Sequence, residues 1–562
     1  TTESFEKELK DLAAKAKDET WAKTAREQAT LHLKAAVLLI LMAVYSNVSQ
    51  LTLSPVYGSI PSSIHHAKLM NAACFIGWSM NRILPRRAHR WLPLIAAYIP
   101  AVQFYLFKTS SSLGATWGPV VTELLTLFPL AVVSVACIAN YLEEAHANKL
   151  PSWPGLLSFG LYKLTEHLSS PHLTHSLGTS PIFTRLGLQA VLTLSYALFS
   201  PSPLILYSLP AILHFALLNT HVPSPLALSA LNTTLSSSSY TILARAESLT
   251  GYLSVLENTA AGFRVLRCDH SLLGGEWTHL ALLPQFASNR VAEPIYGVFA
   301  MLEAVRIVVV PDRVPDADAR ALVVGMGIGT TPAALVAHGV ETTVVEIDPV
   351  VVEFAHRFFA LPEEGAGLTT VVEDAVVFAG RQAGVIRDGE GTYDYIVHDV
   401  FTGGAEPVAL FTLEFLHDLA ALLKPNGVVA INYAGDFALP PPAVVVSTVR
   451  EVFPSCRVFR EHPRDEETTG GDFTNMVIFC TKLDKGVEFR EVRREDLLNS
   501  PSREQFLLPR HEVREEDFLV GAGEGVVRRN ETGKLERWHR TSAVGHWGVM
   551  RSVLPKEVWE NW

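Results

Sequence analysis

Three glycines and three acids carry the chemistry this sequence can do. Gly325, Gly327 and Gly329 form a GxGxG turn inside "ALVVGMGIGTTPAALVAHGVETTVVEIDP", residues 321–349. Glycine tolerates left-handed backbone angles and lets amide N–H groups approach a ligand, so such a turn ahead of a helix holds nucleotide-like groups. Glu346 closes the next apolar run, with Asp348 two residues on. A carboxylate there can accept from both hydroxyls of a ribose. Asp374 ends a further run, placed for an adenine amino group, and Asp399 ends another, beside the reacting end of the ligand. Ile328 within the turn, Ile347 after Glu346 and Ala375 after Asp374 complete the candidate cofactor-binding set. A dinucleotide fingerprint wants glycine at the sixth position of the turn, where Thr330 stands. Acids at three successive strand ends after GxGxG point instead to an S-adenosylmethionine-type ligand.

These residues need a parallel sheet to bring them together. Residues 319–326 read as a strand buried on both faces, 332–339 as a helix, 342–349 as a strand and 350–361 as a helix. Strands over 368–375, 393–401 and 427–434 follow, with a helix over 410–427. Strands alternating with helices predict a doubly wound sheet that binds ligands outside its carboxyl ends. Upstream, residues 240–277 predict three or four antiparallel strands, and 296–309 a helix feeding the main sheet.

The N-terminal half is different. Of 562 residues, 48% are hydrophobic and 18% charged, and mean hydropathy is +0.22, too apolar for an ordinary soluble chain. Apolar runs at 35–53, 69–80, 91–107, 121–142, 186–199 and 203–218 predict about six membrane spans, with a shorter run at 153–164. Pro100 and Pro129 should kink their helices. His65, His66, Lys68 and Glu123 are polar residues within or beside these runs and are expected near helix ends at the headgroups. Lys23, Arg26 and Lys34 precede the first run, and Arg82, Arg86, Arg87 and Arg90 fill the loop before the third. The positive-inside tendency puts both in the cytosol, so six spans return the C-terminal half there. The sequence names no organelle; the endoplasmic reticulum is the expectation. A formal net charge of -11 argues against nucleic-acid partners. The five cysteines lack metal or disulfide-frame spacing and read as reduced core residues, and no metal is expected.

The fold class expected is a multi-pass α-helical membrane domain plus α/β, the latter a small antiparallel β-domain followed by a Rossmann-like sheet. The divisions are a charged amphipathic helix (1–30), a transmembrane domain (31–220), a Pro/Ser/Thr-rich linker (221–239), the β-domain (240–300), the catalytic domain (301–481) and a C-terminal extension (482–562). Trp538, Trp547, Trp559 and Trp562 in the extension are expected to pack on the catalytic domain, a second subunit or a bilayer surface.

Residues 240–481 resemble the spermidine/spermine synthases, which are aminopropyltransferases, and their methyltransferase-fold relatives. "ESLTGYLSVLEN", "EPIYGVFAMLE", "VVGMGIGT", "VVEIDPVVVEFA", "VVEDA" and "YIVHDVFTGGAEPVALFTLEFL" follow in that family's order. The resemblance implies a sulfonium nucleoside held by the glycine turn, Glu346 and Asp374, with Asp399 at the family's catalytic base. It also implies a homodimer, with Tyr296 and Thr402 on the acceptor side.

Departures bear on the reaction. Ile328 stands where aminopropyltransferases carry an acid for the amine of decarboxylated S-adenosylmethionine, Thr402 stands at a second acid, and Gly297 stands at a polar residue. A polycation needs carboxylates to replace its hydration. The expectation is therefore a membrane-embedded methyltransferase using intact S-adenosylmethionine on a small-molecule or lipidic acceptor near Asp399. The alternatives are an aminopropyltransferase-like enzyme using the decarboxylated cofactor, or a non-catalytic nucleoside-binding scaffold. His398, one residue from Asp399 on a strand, should face the core.

Overall fold

β-Branched and aromatic runs broken by turns fold residues 240–277 into an antiparallel sheet. Its strands, β1 (Tyr240–Glu247), β2 (Tyr252–Asn258), β3 (Phe263–Cys268) and β4 (Ser271–Trp277), pair in chain order. The computed structural model describes residues 2–85, 87–145, 152–280, 291–386, 390–400, 404–464, 471–518, 523 and 525–562. They form two compact units: Thr1–Leu53 with Ser62–Val222, and Ser54–Pro61 with Pro223–Trp562.

In the second unit the small sheet is followed by an eight-stranded one. Its strands are β5 (Arg320–Val324), β6 (Glu341–Glu346), β7 (Leu368–Val372), β8 (Tyr393–His398), β9 (Leu423–Asp436), β10 (Ser455–Arg460), β11 (Phe473–Thr481) and β12 (His511–Val513). The order is β12-β10-β11-β9-β8-β5-β6-β7. The five strands from β7 to β9 run parallel, and β11, β10 and β12 add antiparallel. The middles of the central strands are apolar because both faces are covered. Leu322 and Ile396 pack with Phe415 and Leu419 on one side, while Val323 and Val397 pack with Leu335 and Val305 on the other. β5 lies between β6 and β8, so the order reverses there and a crevice opens outside the carboxyl ends of β5 and β8.

Several expectations change. Part of the 221–239 linker is a helix, Pro225–Leu235, because Ser224 caps it by accepting from Ala227 N at 3.2 Å and proline suits its first turn. Cys456 and Cys480 are not reduced. They face each other in the β10–β11 register and form a disulfide, leaving Cys74, Cys137 and Cys268 as thiols.

The C-terminal extension folds onto the small sheet. Trp559 and Trp562 are fully buried. Arg267 on β3 donates to the carbonyls of Pro55 (2.6 Å), Val558 (2.6 Å) and Asn561 (3.0 Å), with Trp559 beneath its guanidinium. Further back, Arg503 and Glu303 form a bidentate pair at 2.7 and 2.8 Å with no solvent exposure.

The first unit is helical. Among the described residues two helices, Lys23–Tyr57 and Leu127–Ala145, are long and apolar enough to cross a membrane. The expectation of six spans is not met in that form, since runs such as 69–80 and 91–107 build helices of only 14 and 16 residues. The 121–142 run breaks at Thr126, so Pro129 falls in the first turn of the next helix, where proline is tolerated. Pro100 lies inside Leu92–Phe107. The 153–164 run is part of a 25-residue helix, Ser152–Ser176. His66 and Glu123 lie near helix ends and form a buried pair, His66 Nδ1 donating to Glu123 Oε1 at 2.6 Å. His66 Nε2 also shares a 2.7 Å hydrogen bond with Ser46, whose hydroxyl donates to Glu166 at 2.7 Å.

Candidate active site

The crevice beside β5 widens into a cavity of about 500 Å³ within the second unit, a size suited to a nucleoside-like ligand. One wall is the glycine turn. Gly325 (φ 87°) and Gly327 (φ 54°) occupy left-handed backbone angles and line the cavity, and a Cβ at Gly327 would sit 2.7 Å from the Leu273 carbonyl oxygen. Gly329 is also left-handed, but it serves as the N-cap position of the helix Thr330–Ala337 and does not line the cavity.

Glu346 ends β6 and faces the same space. Its oxygens accept from Met326 N and Asp348 N, both at 2.9 Å, which fixes the carboxylate and leaves further lone pairs for ribose hydroxyls. Burial, opposed by these two N–H donors, pushes its carboxyl above the usual range. Ile347 and Val351 continue this wall. These glycines and the fixed acid fit S-adenosylmethionine.

Other expected residues sit elsewhere. Ile328 is buried in the core, its side chain 3.0 Å from where a Cβ on Gly274 would lie, and it does not face the cavity. Asp374 is exposed, caps the helix Ala375–Ala383 by accepting from Val376 N at 2.7 Å, and with Ala375 lies outside the cavity lining. Asp348 does not line the cavity. Buried, it accepts from Ser248, Thr250 and Val350, tying the β1–β2 turn to the main sheet. Thr402 falls outside the described residues.

Asp399 follows β8 where the two walls meet. Its backbone N–H donates to Val324 O at 2.8 Å, and a Cβ on Gly325 would collide with its carbonyl. Its carboxylate accepts from Asn432 Nδ2 on β9 at 2.8 Å. Burial raises this carboxyl to about 6, with the Asn432 hydrogen bond pulling the other way. His398 points to the opposite face, as alternation requires, with Nε2 at 3.1 Å from Leu410 O and its ring against Phe411.

The acceptor wall holds Tyr296, Phe299, Phe473, Asn475 and Glu461. Gly297 has no room for a side chain, since a Cβ would meet the Phe506 ring, and its N–H donates to Glu461 Oε1 at 2.6 Å. His546, Val549 and Met550, on the helix Gly533–Val553, complete the cavity from the C-terminal extension. Asn432, Asn475, Glu461 and His546 are not singled out by sequence reasoning. Asn432 and Asn475 carry a usable signal, a polar residue inside an apolar strand; His546 carries none.

The spermine/spermidine synthase domain model matches residues 304–459. An N-terminal histidine N-methyltransferase from Emericella nidulans is 45% identical over 548 residues, 94% of this chain and 97% of that one. The chain belongs to that enzyme's family. It is an S-adenosylmethionine-dependent methyltransferase with a spermidine-synthase-like, Rossmann-type fold. A polyamine aminopropyltransferase from Vibrio vulnificus is 39% identical over 116 residues, 20% of the methyltransferase chain and 37% of that protein. Among solved structures, a probable spermidine synthase from Corynebacterium glutamicum is 18% identical with a TM-score of 0.38, covering 51% of this chain and 95% of that one. Human methyltransferase-like protein 13 in complex with SAH is 24% identical with a TM-score of 0.28, covering 38% and 94%.

Proposed function

We propose that this methyltransferase modifies an imidazole nitrogen of a histidine at the N-terminus of a polypeptide. The observation that carries this reading is Asp399, a carboxylate raised to about 6, fixed by Asn432 and set where the glycine turn meets the acceptor wall. A neutral imidazole has one N–H and one lone pair. Asp399 accepts the N–H, which aims the opposite lone pair and takes the proton as the ring becomes cationic. Bound S-adenosylmethionine supplies an electrophilic methyl group, whose bond to sulfur breaks as the bond to nitrogen forms. Holding the two reactants in line supplies much of the acceleration. Glu346 and the glycine turn hold the nucleoside end, and the apolar side chains of Val549, Met550 and Phe299 help to keep water out.

The identity with the Emericella nidulans enzyme over nearly the whole chain supports the acceptor. A polypeptide acceptor takes the place of the small-molecule or lipidic one. Aminopropyl transfer has less support, because the glycine turn contains no acid and the likeness to the Vibrio vulnificus aminopropyltransferase covers a fifth of the chain. Attachment to a membrane is supported by the helices Lys23–Tyr57 and Leu127–Ala145 and by exposed Leu156, Leu157, Leu206 and Leu217 on the helical unit. The Cys456–Cys480 disulfide favours an oxidising compartment over the cytosol for the catalytic unit. A homodimer rests on family resemblance alone.

The test is transfer of labelled methyl from S-adenosylmethionine to two peptides that differ only in their first residue, histidine or alanine. Label on the histidine peptide alone is expected. Equal label on both, or none on either, overturns the proposal.

A further inference from the structure

Glu461 is 8% exposed and lines the cavity, yet among the described residues no lysine or arginine pairs with it. Its one ion-pair contact among the described residues is with an imidazole, His462 Nε2, 3.8 Å away on a side chain 65% exposed. Neutral donors fix its carboxylate: Gly297 N on Oε1 at 2.6 Å and Asn475 Nδ2 on Oε2 at 3.0 Å. A buried carboxylate with only neutral donors is costly until a cation arrives. Tyr296 and Phe299 line the same wall, and aromatic faces favour an ammonium group. Burial and then the charge of Glu461 hold the Tyr296 hydroxyl protonated, up to about 12, so it stays a donor.

The placement of this acid relative to Asp399 bears on the ligand. Asn475 pairs with Ala434 and Asn432 with Val477, so the two asparagines lie diagonally on one face of adjacent strands, roughly 7–8 Å apart. Each orients one carboxylate, Asn432 that of Asp399 and Asn475 that of Glu461. Two carboxylate–amide pairs held by adjacent strands thus line the same cavity. With the imidazole at Asp399, the α-ammonium group is the cation that a first-residue histidine offers to Glu461 in the same cavity.

We propose that Glu461 binds the free α-ammonium group of the acceptor and restricts the enzyme to unblocked N-termini, an inference that rests on the histidine reading above. Glu461 is then a specificity residue, distinct from Asp399, which handles the imidazole proton.

The test compares a peptide beginning with histidine and the same peptide lacking only the α-amino group, an imidazolepropionyl cap. Wild-type full-length protein should favour the amine by about 100-fold in kcat/KM. Glu461→Gln keeps an oxygen for Gly297 N–H and should bring that ratio to within about threefold, through KM, with S-adenosylmethionine affinity unchanged. A wild-type ratio near one overturns the proposal without any variant, as does a preference that survives in Glu461→Gln. Methylation of neither peptide by the wild type instead overturns the histidine reading itself.

Discussion

The Asp399 carboxylate accepts a hydrogen bond from Asn432 Nδ2 at 2.8 Å, across the parallel pair β8–β9. This contact ties the acid that follows β8 to a polar residue buried within the apolar middle of β9. It fixes the direction of the carboxylate before any acceptor arrives, which is what an oriented proton acceptor requires.

Asp399→Asn keeps the shape and the neighbour but removes the proton acceptor. Turnover should fall on the order of 1,000-fold, while S-adenosylmethionine affinity by calorimetry stays within about threefold, since Asp399 does not hold the nucleoside in this account. A matched loss of binding would move Asp399 into the cofactor site.

The same substitution has a pH-dependent effect on stability. The Asp399 carboxyl is raised from 3.8 to about 6 in the folded protein. Its contribution is therefore fully present below the unfolded value and is lost as pH rises through about 6. Asp399→Asn should gain in Tm relative to the wild type between pH 4.5 and pH 7.5, read by thermal unfolding at both. A difference independent of pH would mean that the carboxyl is not raised.

Glu346→Ala removes the acceptor for Met326 N and Asp348 N. Leaving these buried donors unmatched should cost about 2 kcal/mol of stability. S-adenosylmethionine binding should weaken by on the order of 30-fold, with two ribose hydrogen bonds lost. Chemical denaturation and calorimetry read the two effects separately.

The glycine turn, Glu346, Asp399 and the α/β alternation were legible because each is a local pattern: a turn needing positive φ, an acid at the end of an apolar run, a period that changes from strand to helix. The side of the sheet was also legible, as His398 shows. What local pattern does not encode is pairing between distant segments. Cys456 and Cys480 face each other only because β10 and β11 pair in that register, and Glu461 meets Gly297 only through the tertiary fold, 164 residues away in sequence. Ile328 looked like a cofactor contact by its position in the turn, but β4 packs over it at Gly274. The apolar runs of the N-terminal half gave composition without helix ends, so the break at Thr126 and the His66–Glu123 pair were out of reach.

Alkylation of the unreduced, denatured protein should label Cys74, Cys137 and Cys268 and spare Cys456 and Cys480. Reduction should then lower stability by about 3 kcal/mol, given the 24-residue separation. Labelling of all five cysteines in protein isolated with thiols trapped would place the catalytic unit in a reducing compartment.

Arg267 and Trp559 join the C-terminal extension to the small sheet, and the extension supplies His546 and Met550 to the cavity. Trp559→Ala should cost about 4 kcal/mol. Activity should fall with it under conditions where the rest of the chain stays folded. Full activity after loss of the extension would separate it from the site.

The central claim is tested most directly by locating the transferred methyl group. After reaction of the full-length protein with labelled S-adenosylmethionine and a histidine-first peptide that also contains an internal histidine and a lysine, fragment-ion mass spectrometry assigns the labelled atom. Label is expected on the imidazole of the first residue alone, and almost none with Asp399→Asn. Label on the α-amino group, the lysine or the internal histidine would contradict it.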